Sequence, residues 1–319
     1  MELLKVRNLK MYYKTLRGDV KAVDDISFEV NKQEALGFAG ESGCGKTSAA
    51  LAILKLLPSN GRIVDGSITL GDQEITKMSD KEIRRKIRWK RISMIFQGAM
   101  NALHPTYTVG HQISEAILMH EDVSNDEASE RAQRLLELVG MEADKTRRYP
   151  HELSGGMKQR VVTAMALSCN PDLLIADEPT TALDVIVQAQ VLKVMKELRE
   201  RLKLSWMLIS HDLSIITETC NRLGIMYAGK LQEYGDLAKI YKEPLHPYTQ
   251  KLLTAFPSIT GPTRELSSIP GFPPDLLNPP KGCRFHPRCA EAMEICRNKE
   301  PIFQEISNRD HFVSCHLYA

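Results

Sequence analysis

Several features are scarce or missing in this sequence, and each absence narrows the reading. The formal net charge is only +2 over 319 residues, with no long Lys/Arg block, so composition gives no reason to invoke nucleic acid or a lipid surface as the main ligand. Nowhere do about 18 apolar residues run unbroken, as a spanning helix needs. The opening Met1-Glu2-Leu3-Leu4-Lys5-Val6-Arg7 lacks the apolar core of a secretory signal, and the expected location is the cytoplasm. No internal repeat is present. Closely paired cysteines are also missing: the seven cysteines are an odd number, and Cys283, Cys289, Cys296 and Cys315 are separated by five, six and eighteen residues. Those spacings fit neither the close pairs of zinc ribbons nor the ferredoxin run, although four thiolates suit either Zn²⁺ or an iron–sulfur cluster. His286, His311 and His316 are alternative ligands or structural residues, and Cys44, Cys169 and Cys220 read as core or loop thiols.

The chain is long enough for one large domain and a smaller appendage. Short apolar runs bounded by Gly, Asp and Asn predict strands at 26–30, 35–39, 67–70 and 92–96, with one helix from Lys46 to Leu57 ended by Pro58. Ser124-Asn125-Asp126-Glu127 reads as a capping box, and Ala128, Ala132, Leu135, Leu136 and Val139 follow at helical spacing before Gly140. A helical subdomain inserted into an α/β core is therefore expected. The core resumes with a strand at 173–177, a helix at 187–202, a strand at 205–209 and a hairpin turning at Ala228-Gly229. Alternating strands and helices imply a parallel sheet covered on both faces. From Pro257, prolines 262, 270, 273, 274, 279 and 280 mark an extended linker leading to a small module.

Three segments carry chemistry. Gly40-Glu41-Ser42-Gly43-Cys44-Gly45-Lys46-Thr47 fits the phosphate-loop pattern and lies between a predicted strand and a predicted helix, as that pattern requires. Its glycines let backbone amides turn toward phosphates, the helix N-terminus adds its dipole, Lys46 reaches the terminal phosphates, and the Thr47 hydroxyl suits Mg²⁺. Leu173 to Ala176 form an apolar strand that delivers Asp177 and Glu178 to its carboxyl end, where ligands of open α/β sheets bind. Asp177 would hold the Mg²⁺ shell and Glu178 would polarise the attacking water; alone, the pair would be read as helix-capping acids. Leu153-Ser154-Gly155-Gly156-Met157-Lys158-Gln159-Arg160 reads as a Ser-capped helix start with outward amides, which alone could be a simple cap.

The last of these resembles the signature of ABC ATPases, and further elements of that family follow in order. Tyr13, with Tyr12 as rival, resembles the aromatic that stacks on adenine. Gln97 resembles the Q-loop glutamine, 181–184 (ending in Leu183-Asp184) the D-loop, and His211 the switch histidine. The resemblance implies a RecA-like core with an antiparallel β subdomain over residues 1–256, a helical subdomain at about 98–155, and a Cys-rich module at 257–319. It also implies that Tyr13, the loop from Gly40 to Ser48, Ser154, Gly155, Gly156, Gln159 and Asp184 contact ATP. Lys46, Gln97, Glu178 and His211 would be the catalytic set, and Thr47, Gln97 and Asp177 would serve Mg²⁺. In this family two cassettes close head-to-tail around two ATP molecules.

The segments 157–160, 181–189 and Leu245-His246-Pro247-Tyr248-Thr249, with the Pro-rich tail, resemble ATPase subunits of oligopeptide and dipeptide importers. The Met after the signature glycines is typical of the D-type subunit, which implies pairing with a related ATPase. Two permease subunits, and indirectly an external solute-binding protein, are the other implied partners, and the implied place is the cytoplasmic face of the membrane. Gln97-Gly98-Ala99-Met100-Asn101-Ala102-Leu103-His104-Pro105 departs from the commoner pattern, so related cargoes (nickel, opines, oligosaccharides) stay open. Some members carry a [4Fe-4S] cluster on a similar cysteine set, which implies one on Cys283, Cys289, Cys296 and Cys315, with Zn²⁺ as alternative. A soluble ABC ATPase acting on DNA or ribosomes usually has two cassettes or a long coiled-coil insertion, and only residues 98–152 separate Gln97 from the signature.

Overall fold

The structure is a computed structural model that describes residues 1–181, 183–254, 269–306 and 310–319. The expected linker prolines Pro257 and Pro262, the boundary at 256/257 and the D-loop alanine at 182 lie outside the described residues. In chain order the strands are β1 (Glu2–Thr15), β2 (Gly18–Asn31), β3 (Ala35–Ala39), β4 (Gly61–Leu70), β5 (Gln73–Glu74), β6 (Ile92–Ile95), β7 (Leu173–Asp177), β8 (Ser205–Ile209), β9 (Arg222–Tyr227), β10 (Lys230–Asp236), β11 (Phe303–Glu305) and β12 (His311–Ser314). The helices are α1 (Lys46–Ile53), α2 (Asp80–Lys86), α3 (Val109–His120), α4 (Asn125–Leu138), α5 (Gly155–Leu167), α6 (Val185–Leu202), α7 (Leu213–Thr219), α8 (Leu237–Lys242), α9 (Pro247–Thr254) and α10 (Glu294–Asn298). Among the described residues no helix is long and apolar enough to cross a membrane.

The chain divides into two units. The first takes in residues 2–30, 35–77 and 209–319. Here β1, β2, β4 and β5 form a sheet in the order β2-β1-β4-β5, with β4 antiparallel to both β1 and β5. Alternation serves β1 well: Leu4, Val6, Leu9 and Met11 are fully buried, and polar residues fall between them. A second set of strands runs β11-β12-β10-β9-β3. Within it β3 and β9 are parallel and every residue of β3 is buried, the pattern of a strand covered on both faces. The β9–β10 hairpin turns at Ala228 and Gly229, both at positive φ, which matches the two-residue turn expected from the sequence.

The C-terminal residues extend this sheet. β12 lies antiparallel to β10, pairing Glu233 with Val313 and Gly235 with His311, and β11 pairs with β12. A module that the sequence sets apart thus shares a compact unit with the phosphate-loop strand.

The second unit takes in Met1, 31–34 and 78–208. Its strands run β8-β7-β6, with β6 parallel to β7 and β7 wholly buried. Helices α3 and α4 follow β6, as the expected helical insertion requires. Ser124 caps α4 by accepting from the Glu127 amide, so half of the expected reciprocal box is seen. The complete box instead opens α2, where Ser79 accepts from the Glu82 amide and Glu82 accepts from the Ser79 amide. Gly140 follows α4 at φ 74, the left-handed stop anticipated for it.

Candidate functional site

In the first unit the phosphate loop leaves β3 at Gly40 and enters α1 at Lys46. Gly40 and Gly45 take φ 146 and 108, and a Cβ at either would lie 2.1 Å from the Met226 and Ala22 carbonyl oxygens respectively. Only glycine satisfies both the dihedral and the close approach. Lys46 is 7% exposed, and its Nζ donates to the carbonyls of Gly40 at 2.7 Å and Glu41 at 3.0 Å. Ser42, Gly43 and Thr47 are exposed, whereas the Cys44 side chain is buried with its thiol pushed up by burial. Tyr13 is half-buried, with its hydroxyl 3.1 Å from Ser48 Oγ on α1. Its rival Tyr12 donates to Asp24 at 2.6 Å and is thereby committed to a structural network. Tyr13 is therefore the aromatic placed beside the loop's helix. His211 is exposed, between Ser210 and the Asp212 cap of α7.

Glu41 departs from the expected role of nucleotide contact, because all its polar groups are engaged. Its amide donates to Tyr248 Oη at 3.0 Å, its carbonyl accepts from Lys46 and from the Cys44 amide at 3.2 Å, and its carboxylate is gripped by Arg288. The two Arg288 bonds are 2.6 and 2.9 Å long, and Arg288 is 9% exposed. Glu41 holds the guanidinium charged, raising its pKa above the usual arginine range. Neither Arg288 nor Tyr248 is marked by sequence pattern as part of a site; a cation set beside Cys289 in a Pro-rich segment is the one available signal.

In the second unit Asp177 ends β7 with 1% exposure, and Glu178 follows in the left-handed region at φ 47. The Glu178 carboxylate accepts from Gln97 Nε2 at 3.1 Å and from Thr181 Oγ1 at 3.0 Å. Two of the expected catalytic residues are thus brought together with a residue of the D-loop resemblance. A bulky residue at positive φ is uncommon and is held only where its surroundings fix it. Thr47 and Asp177 offer the hydroxyl and carboxylate oxygens that Mg²⁺ takes, so the donor chemistry of each fits the expectation.

The signature segment forms a helix start as read: Ser154 caps α5 by accepting from the Met157 amide, and Ser154 and Gly155 are exposed. Gly156 is buried, with the position of a Cβ lying 2.5 Å from Val187 Cγ1 of α6. Gln159 does not join the exposed residues. It is 2% exposed with Nε2 unpartnered, because it falls on the inward face of α5, so the expected contact with ATP is not supported. Asp184 caps α6 by accepting from the Val187 amide at 2.9 Å.

The four C-terminal cysteines converge without making the expected ligand set. Burial pushes the Cys283 thiol up to about 11, with Cys296, Cys315 and Cys289 pushing the same way. Burial raises the Cys289 and Cys315 thiols as well. Yet among the described residues no three His, Cys, Asp or Glu side chains form a group that could hold a metal ion. The expected [4Fe-4S] cluster is therefore not supported, nor is the zinc alternative. The expected substitute ligands are engaged too: His311 Nε2 meets buried Glu233 at 2.7 Å, and His286 Nδ1 and His316 Nε2 each contact a backbone carbonyl at 2.8 Å.

Comparison with known proteins agrees with this geometry. Residues 23–181 match the family described as ABC transporter, and residues 232–296 match that described as oligopeptide/dipeptide transporter, C-terminal region. The chain is 46% identical over 302 residues to the oligopeptide transport ATP-binding protein OppD of Salmonella typhimurium, covering 94% of this chain and 90% of that protein. It is 45% identical over 320 residues to the oligopeptide transport ATP-binding protein AppD of Bacillus subtilis, covering 99% and 97%. The dipeptide transport ATP-binding protein DppD of the same organism is 44% identical over 319 residues, covering 99% and 95%. Among solved structures, an ATP-binding cassette dimer in a post-hydrolysis state with ADP and Pi superposes with TM-score 0.65 at 25% identity, covering 74% of this chain and 99% of that one. CbiO1 of Clostridium perfringens gives 0.66 at 26% identity, covering 76% and 91%.

Proposed function

The chain belongs to the family of ATP-binding subunits of ABC-type oligopeptide and dipeptide transporters, and from that premise we propose how its residues hydrolyse ATP to power peptide uptake. The cassette occupies residues 1–256, with its helical subdomain at about 98–155, and the remainder is an appended module. Tyr13 stacks on adenine. The amides of the loop from Ser42 to Thr47 surround the phosphates, and Lys46 exchanges its carbonyl partners for phosphate oxygens. Thr47, Asp177 and Gln97 would hold Mg²⁺, which would supply positive charge to offset that of the phosphates.

Glu178 is the general base. The bond from Gln97 to Glu178 carries this reading: it fixes a carboxylate at the end of a buried strand, in a backbone conformation that the neighbours must maintain. In the working site Glu178 accepts the proton of the attacking water while Lys46 and the loop amides stabilise charge on the transferred phosphoryl group. His211 and Gln97 sense the terminal phosphate. Ser154, Gly155 and Gly156 contact nucleotide held by a second, related ATPase, and Asp184 lies at the same junction. Closure of this heterodimer around ATP drives two permease subunits at the cytoplasmic face of the membrane, with an external binding protein delivering the solute.

Peptide cargo is supported by the C-terminal region match and by relatives named for oligopeptide and dipeptide transport. The test is reconstitution of the chain with its companion ATPase and permeases in proteoliposomes. MgATP should drive uptake of short peptides, whereas ATP-dependent uptake of oligosaccharide, opine or nickel without peptide would replace the cargo assignment.

A further inference from the structure

Cys283 to Cys289 is a short segment that plants two arginines on the phosphate-loop side of its unit. Arg284, 6% exposed, grips Asp24 and donates to the Ala228 carbonyl. The next residue, Gly229, donates its amide to the Cys44 carbonyl at 2.9 Å and accepts from the Asp24 amide at 2.8 Å. Arg284 thereby braces the turn on which the loop rests.

Arg288 acts on the loop itself. Its fork meets both carboxylate oxygens of Glu41, while Nε donates to the Pro270 carbonyl at 2.7 Å and Nη1 reaches Tyr227 Oη at 3.3 Å. Planar two-point pairing of this kind fixes orientation as well as distance, which an ammonium cannot do. Tyr248 holds the Glu41 amide from the other side. The Glu41 carbonyl that these bonds aim is one of the two that receive Lys46 Nζ.

We propose that Arg288 is a positioning residue for the nucleotide site: the C-terminal module sets the phosphate loop in its ATP-receiving shape through the Arg288–Glu41 pair. This deepens the ATPase reading and rests on it. The module is then part of the machinery for binding nucleotide, beyond its place as an extension of the sheet. Its effect falls on ATP affinity, since neither side chain is free to touch phosphate or the attacking water.

The test titrates the purified full-length chain with a fluorescent ATP analogue and Mg²⁺, comparing wild type, Arg288→Lys, Glu41→Gln and the double variant, and measures turnover with the companion ATPase. Each single change should weaken binding by about tenfold, the scale of one lost hydrogen bond to a charged group. The double variant should bind no more weakly than the worse single one, and turnover at saturating ATP should stay within about twofold of wild type, since an affinity effect leaves the chemical step alone. Unchanged affinity in both single variants, losses that multiply in the double, or a fall in saturated turnover at constant affinity would overturn the proposal. Glu41→Gln tests it alone if Arg288→Lys does not fold. A wild-type chain that binds no MgATP refutes the ATPase reading instead, so the two failures are separable.

Discussion

The amide of Gln97 donates to the carboxylate of Glu178 across 3.1 Å, joining the end of β6 to the end of β7. β6 and β7 are parallel neighbours, so a residue just past each carboxyl end arrives at the same edge. Thr181 adds a second donor from the turn that follows. The result is a carboxylate whose direction is set by two side-chain donors.

Tyr13 and Tyr12 separate cleanly in their predicted effects. Tyr13→Ala should lower ATP affinity by roughly 1–3 kcal/mol, the worth of a base stacked on an aromatic ring, and leave thermal stability near wild type. Tyr12→Phe removes the bond to Asp24 and should lower stability by about 1 kcal/mol with affinity retained. Nucleotide titration beside denaturant unfolding reads both.

Gly156 and Gly155 should respond differently to alanine. A methyl at Gly156 meets Val187 at 2.5 Å and forces α5 from α6, with a loss of about 1–3 kcal/mol expected for overpacking. At Gly155 the nearest atom is the Leu183 side chain at 3.3 Å, a contact that a small shift relieves. Gly155→Ala should therefore fold like wild type and show its defect only in turnover with the companion ATPase.

The chemistry-bearing loops were legible because each is local: glycines, a lysine and a threonine in eight consecutive residues, or an apolar strand ending in two acids. The Arg288–Glu41 pair spans 247 positions, and no local pattern announces a contact of that range. The strands β11 and β12 were missed for the same reason, since β12 pairs with β10 across the Pro-rich stretch and β11 pairs in turn with β12. Gln159 was misjudged because adjacency to a glycine signature says nothing about which face of α5 it occupies. The Ser79–Glu82 box was passed over because α2 has a single buried apolar residue, Ile83, and no periodic face to announce it.

His246 gives the fold an acid sensitivity. It is fully buried, and burial alone carries its pKa down from the ordinary 6.5 to about 3. The unfolded chain therefore binds this proton more readily than the folded one between those values, and stability must fall as pH drops from about 6.5 toward 3. The slope from this residue reaches up to about 1.4 kcal/mol per pH unit. Urea unfolding at pH 7.5 and 5.5 should show the loss, and His246→Asn, whose carbonyl can replace Nδ1 as acceptor for the Tyr248 amide, should shrink it.

Lys46→Ala should cost MgATP affinity at least about tenfold, because the one buried ammonium of the loop is removed while the amides remain. Its fold should survive, since the Glu41 carbonyl keeps the Cys44 amide as a donor. Equilibrium binding with and without Mg²⁺ measures the effect.

Glu178→Gln gives the most direct measurement. Titrated with MgATP and assayed beside its companion ATPase, this variant should bind nucleotide as wild type does, while hydrolysis at its own site falls by about a hundredfold or more, the contribution typical of a lost general base. Hydrolysis at the wild-type rate, with binding intact, would contradict the assignment of Glu178 and with it the route of proton transfer.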